Sequence, residues 1–196
     1  MSQKRPLFLQ KTLARGFRSA AGLFLFGWLS ISSVVFSQDV TETKLKAQYI
    51  LNISKFVSWP ENPRELALCL LGNDPIANDL KQLDGTSVRG AKIQFQQYRN
   101  QNLIDGCHIL VIAESEKLIT KKIASRINEK PILTISDQTD FLEAGGMVKL
   151  YRQGSRLRFD IGLKATQTAQ LKISSKLLKL AGNKPRQGGN NNEDPS

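Results

Sequence analysis

Three stretches of this chain are apolar without alternation: "LALCLL" (66–71), "CHILVIA" (107–113) and "ILTIS" (132–136). A strand with one wet face alternates apolar and polar residues, whereas an unbroken apolar run requires cover on both faces, as in a parallel sheet between helical layers. Helical patterns fall between these runs. One extends from Ile76 to Leu83 and is closed by Gly85; another extends from Ser115 to Asn128, with Ile119, Ile123 and Ile127 four residues apart. The segment "KIQFQQY" (92–98) alternates and is expected as a strand nearer an edge. The order strand, helix, strand, strand, helix, strand predicts an α/β sandwich with a mixed, partly parallel central sheet flanked by helices.

The flanking segments complete this plan. Thr41 and Thr43 are candidate caps for a helix reaching about Ser58, with an apolar stripe of Leu45, Tyr49, Ile53 and Phe56 widened by Ile50 and Val57. Pro60 and Pro63 stop it. After Ser136, residues 139–144 suggest a short helix ended by Gly145 and Gly146, and "MVKLYRQGSRLRFDIGL" suggests a hairpin turning at Gln153, Gly154 and Ser155. A closing helix is expected from about Lys164 to Ala181, with Ala165, Ala169, Ile173, Leu177 and Leu180 on one face and Lys172, Lys176 and Lys179 beside it. Ser174 and Ser175 would lie inside it as weak helix formers. Residues 183–196 contain no large apolar side chain and are expected to be a disordered tail.

The amino terminus sets the compartment. Residues 1–18 carry Lys4, Arg5, Lys11, Arg15 and Arg18 and no acid, and residues 20–36 are apolar or small throughout. This is the pattern of a signal peptide over residues 1–37, with Val35 and Ser37 ahead of a cut at Gln38. The alternative is an uncleaved anchor, because 17 residues lie at the lower edge of a bilayer span. In either case the domain at 38–182 is exported, to the periplasm under the resemblance below. The formal charge of +11 loses those five cations and becomes +6. Nucleic acid is not an expected partner; an anionic membrane face or an acidic protein suits the balance better.

The pair Cys107 and His108 invites a nucleophile-and-base reading, but neighbours on a strand point to opposite faces. With one His, two Cys and no metal-ligand spacing, neither a metal site nor a cofactor is expected. Two cysteines in an oxidising compartment favour a bridge, and both lie in runs that a parallel sheet can set side by side, so Cys69 is paired with Cys107. No nucleophile elbow, phosphate loop or zinc-protease motif is present, and the acid pairs Glu114/Glu116 and Asp137/Asp140 suit helix starts, so no catalytic residue is assigned. A binding role for the domain would place exposed anchors at Trp59, beside the turn that leaves the first helix, and along the Lys172, Lys176 and Lys179 flank.

Six blocks, "LKAQYILNISKFVSWP", "LCLLGNDP", "GCHILVIAES", "LTISD", "FLEAGGMV" and "RFDIGLKATQTAQLKISSKLLKLAG", together resemble, in order, the YfiR family, also called DUF4154. The resemblance implies a non-enzymatic periplasmic α/β protein, typically a homodimer, that inhibits an inner-membrane diguanylate cyclase through its periplasmic portion and so lowers c-di-GMP signalling and biofilm formation. It also implies an outer-membrane lipoprotein as a second partner. The cysteines match one family bridge; a second bridge found in some members is absent, since 147–158 contains no Cys. The competing expectation is a small-molecule binding module with a polar pocket at the carboxyl ends of the strands.

Overall fold

The computed structural model describes residues 36–183, with side chains from Glu42 onward. The expected export signal, apart from its last two residues, and the tail beyond Asn183 lie outside the described residues. Helix α1 (Phe36–Ser54) leads through β1 (Val57–Ser58) into β2 (Glu65–Leu71), α2 (Ala77–Lys81), β3 (Ser87–Val88) and β4 (Ala91–Tyr98). Then come β5 (Ile109–Ile112), α3 (Thr120–Ile127), β6 (Leu133–Ser136) and the hairpin of β7 (Val148–Gln153) and β8 (Arg156–Ile161). The chain closes with α4 (Leu163–Thr168), β9 (Lys172–Ile173) and α5 (Ser175–Leu180). Two 3-10 turns, Gln101–Gly106 and Glu114–Ile119, precede β5 and α3.

The main sheet has seven strands in the order β3-β4-β2-β5-β6-β7-β8. Its five inner strands run parallel, and β3 and β8 add antiparallel edges. The three unbroken apolar runs became β2, β5 and β6 at its centre, and the alternating run became β4, next to an edge. This is the expected mixed α/β architecture.

Alternation along the central strands divides the core in two. Leu66, Leu68 and Leu70 of β2 pack with Ile109, Val111, Leu133 and Ile135 against Ala47, Ile50 and Ile53 of α1 and Leu177 of α5. On the other face, Cys69, Leu71, Leu110 and Ile112 meet Ile123 and Ile127 of α3, with Ile104 and Phe141. Cys69 and Cys107 are joined there by a disulfide, with Cα atoms 5.9 Å apart and a sequence separation of 38. Closing such a loop removes unfolded-state entropy worth about 4 kcal/mol.

Four local expectations are corrected. Helix α1 runs through Thr41 and Thr43 rather than starting there, and it ends at Ser54, because Lys55 and Phe56 turn back onto the carbonyls of Asn52 and Ile53. The first turns of the expected 115–128 helix tighten into the 3-10 turn. Residues 139–144 form consecutive turns rather than a helix. Gly146 N–H returns to Phe141 O at 2.8 Å, and a Cβ at Gly146 would sit 2.4 Å from the buried Phe141 ring.

The closing helix is likewise two short helices, α4 and α5, broken where Gln170 adopts φ +57° and β9 pairs antiparallel with β1. Ser174 is the N-cap of α5, its hydroxyl accepting from Lys176 N–H at 3.3 Å. Its own N–H donates to Phe56 O at 2.9 Å. Among the described residues no helix is long and apolar enough to cross a membrane.

Candidate interaction surface

In open parallel sheets, ligands usually enter at the carboxyl ends of the strands, where the winding direction reverses. Here that point lies between β2 and β5, since β2 is followed in space by β4 on one side and β5 on the other. The crevice is closed. The backbone turns out of β2 at Gly72 (φ +97°), whose carbonyl accepts from Gln97 Nε2 at 3.0 Å, while Asn73 N–H donates to Ser115 Oγ at 3.1 Å. Beneath it, Ser136 Oγ donates to Ile112 O at 2.7 Å, and Gln138 donates to Ala113 O at 2.9 Å while accepting from Thr120 Oγ1 at 2.9 Å.

Above it, Lys46 of α1 lies 2.7 Å from Asp137 and 3.1 Å from Glu42, and Arg152 reaches Glu42 at 2.9 Å. Burial, the largest single influence on Lys46, lowers its pKa, but Asp137 and Glu42 together outweigh it and hold the ammonium above its ordinary value. Burial likewise raises Glu42, but Lys46 and Arg152 prevail and hold it below the usual carboxylate range. Only about 20 Å³ of space remains among Lys46, Asp74, Ser136, Asp137 and their apolar neighbours. That is about one water's worth, and the small-molecule expectation finds no chamber there.

The open surface lies elsewhere, along the outer edge of the sheet. A groove of about 340 Å³ runs between the end of α1, strand β8 and α5, lined by Tyr49, Ile53, Phe56, Leu157, Phe159, Leu177 and Leu180, with Asn52 and Arg158. Phe56 is half-buried and Leu180 is 61% exposed. Its walls are held firmly. Tyr49 Oη donates to Leu157 O at 3.0 Å, tying α1 to β8. Strand β9 secures the start of α5 to β1, and Gly182 N–H secures its end through Phe159 O at 2.9 Å.

Charge around the groove is one-sided. Residues 43–60 and 162–182, which supply α1 from Thr43 onward, β1, β9 and α5, contain no acid, and they carry Lys55, Lys172, Lys176 and Lys179. The acid of β8, Asp160, already accepts from Tyr151 Oη at 3.1 Å and Asn183 N–H at 3.0 Å. Arg158 Nε is buried with no hydrogen-bond partner.

The expected anchors are distributed differently. Lys172, Lys176 and Lys179 are all exposed, on β9 and α5 beside the groove. Trp59 is not an exposed anchor: it is 8% exposed, and its Nε1–H donates to His108 O at 3.2 Å. Past Pro60 the chain turns straight into β2, so the indole packs inward. His108 Nδ1 accepts from Ala67 N–H at 3.1 Å, and burial lowers its pKa against a smaller opposing pull from Glu61. Histidine and tryptophan therefore brace the start of β2. Arg158 was not singled out as a site residue, and its signal lay in the alternation of "RLRFDI" on an edge strand.

A family model described as DUF4154, YfiR/HmsC-like, matches residues 43–182. The match runs from the first described turns of α1 to the residue that follows the capping of α5.

Proposed function

The chain belongs to the YfiR/HmsC-like family, whose known role is periplasmic and regulatory rather than catalytic, and from that premise we propose that it is a non-enzymatic inhibitor of an inner-membrane diguanylate cyclase. In this reading the signal peptide is removed before Gln38, the mature homodimer binds the cyclase's periplasmic portion, and c-di-GMP output falls. An outer-membrane lipoprotein competes for the inhibitor and releases the cyclase. The observation that carries the reading is the match over 43–182, which spans nearly the whole α/β domain. The closed crevice and the open apolar groove with its lysines support a protein partner over a small ligand.

Inhibition requires tighter binding to the cyclase's inactive state than to its active one, since equal affinity shifts nothing. Moving an even equilibrium to about 99% inactive takes about 2.7 kcal/mol of differential affinity, which an ordinary interface can supply. The test is the cellular c-di-GMP level. Deleting the gene raises it and promotes biofilm, and excess protein lowers it; an unchanged level in a deletion strain, where the protein is otherwise abundant in the periplasm, overturns the reading.

A further inference from the structure

We infer that the groove between α1, β8 and α5 receives a short amphipathic segment of a partner protein, its apolar side chains seated between Phe56 and Leu180 and an acidic side chain set against Arg158 and the lysines of α5. The inference rests on the reading that this protein acts by binding another protein, and it specifies what that partner presents.

Shape comes first. About 340 Å³ between two helices and a strand accommodates a few apolar side chains, not a flat surface. A bilayer face would touch only the rim, at Leu180 and the lysines. The walls are tethered at Tyr49, at β9 and at Gly182, so the partner finds a preformed slot and little ordering is required on binding.

Charge then selects among protein occupants. Two acid-free segments and an arginine with a buried, unpartnered Nε surround the slot, and the acid of β8 is held by Tyr151 and Asn183. A carboxylate from outside meets the Arg158 guanidinium and the lysines of α5 and gains the strength of a charge-assisted bond. The chain's own continuation beyond Asn183, "KPRQGGNNNEDPS", offers acids but no large apolar side chain, so it cannot fill the slot. A second copy is a poorer match: its most exposed leucine among the described residues, Leu118 at 99%, lies among Lys117, Lys121 and Lys122, and two of the three acids nearby, Glu114 and Asp140, are already taken by Lys117. An acidic amphipathic helix or strand of a different protein meets both requirements.

The test uses the full chain in the cells that make it, carrying Leu180→p-benzoylphenylalanine, with ultraviolet cross-linking and sequencing of the attached peptide by mass spectrometry. The expected adduct is a protein segment with apolar residues on one face and an Asp or Glu within about one turn of the cross-linked residue. Arg158→Glu lowers the yield at least tenfold, as does Lys179→Glu on the exposed face of α5, which leaves the melting temperature unchanged and so controls for misfolding. Rising salt lowers the yield as well. A lipid adduct, an adduct to this same protein, an acid-free segment, or no adduct overturns the inference. The two readings fail separately. A fitting segment from a protein other than a diguanylate cyclase removes the proposed function and leaves the groove's chemistry standing, whereas a cyclase that co-purifies without an adduct at position 180 does the reverse.

Discussion

The crevice at the carboxyl ends of β2 and β5 and the groove along β8 are two concave places on the described residues, and they differ in how far their polar groups are paired and how much room they leave. The crevice has its charged and polar groups internally paired over an apolar floor and leaves only about 20 Å³; the groove is apolar, fringed by cations without an ion-pair partner among the described residues, and open over about 340 Å³. In the crevice, Lys46, Asp137, Glu42 and Arg152 satisfy one another, and Ser115, Ser136 and Gln138 satisfy the backbone ends. Where charges are mutually satisfied, they contribute to stability and leave nothing for a ligand. Where an apolar surface is held rigid beside cations with no acid of their own, stability is already secured and recognition remains.

This contrast predicts a division of effects. Substitutions at the closed end and in the braced core cost stability without altering partner binding; substitutions in the groove do the opposite. The largest effect on stability is expected from replacing Cys69 and Cys107 together with Ala, which lowers the unfolding free energy by up to about 4 kcal/mol in denaturant titrations. In the unreduced, denatured wild-type protein, thiol labelling finds no free cysteine, and two labelled sites would remove the bridge from the account.

Lys46→Met comes next. It leaves Asp137 without its nearest cation and Glu42 with Arg152 alone, at a cost of about 1 kcal/mol. A cost of that size with unchanged cross-linking from position 180 sustains the division; lost cross-linking would join the two regions into one site. Trp59→Phe is expected to cost a similar amount, about 1 kcal/mol, by deleting the bond to His108 O. That carbonyl keeps Leu133 N–H, so no acceptor is orphaned.

A smaller, pH-dependent effect follows from His108. Its folded pKa lies below its ordinary value of 6.5, so its contribution is fully present above about pH 6.5 and is lost as pH falls through the folded pKa. Glu42, also lowered from its ordinary 4.5, contributes above that value and loses its share only as pH falls further. Denaturation midpoints should therefore decline in two separate ranges, and His108→Gln should flatten the upper one alone. The smallest stability effect, under about 0.5 kcal/mol, is expected for Leu180→Ser and Lys176→Glu, which should nonetheless relieve inhibition. Melting curves beside c-di-GMP levels would expose any exception.

What could be read from residues and what could not follows the range of the interactions. The runs at 66–71, 107–113 and 132–136 identified the central strands, because cover on both faces leaves its mark within each segment. The bridge was legible because two cysteines in such runs have few other arrangements. The broken closing helix was not. Ala165, Ala169, Ile173 and Leu177 keep a four-residue spacing, yet Ile173 pairs with Val57, over a hundred positions earlier, and no local pattern announces that partner. Ser174 carried the one local warning, since a serine is a better cap than an interior helix residue. Trp59 misled for the same reason: the turn after α1 looked exposed in sequence, and only the docking of β2 beside β5 brings His108 to the indole. The groove was half visible. Its apolar lining appeared as stripes on two helices, but their meeting across β8 is a tertiary fact.

The last two described residues do more than hold α5. Along the outer side of β8, Leu157 O is taken by the Tyr49 hydroxyl, Phe159 O by Gly182 N–H, and both Ile161 N–H and Ile161 O by the side-chain amide of Asn183, at 2.8 and 3.0 Å. Gly182 fits so closely that a Cβ would stand 2.6 Å from Asp160 Oδ1. A strand edge with free backbone groups is a template on which another copy can polymerise, and here the template is occupied by Tyr49, Gly182 and Asn183 of the same chain rather than by a neighbouring strand. The smallest fragment that stays monodisperse should therefore end at Asn183. A chain cut after Ala181 should retain its core and still associate edge to edge, with light scattering that rises with concentration while its melting temperature changes little.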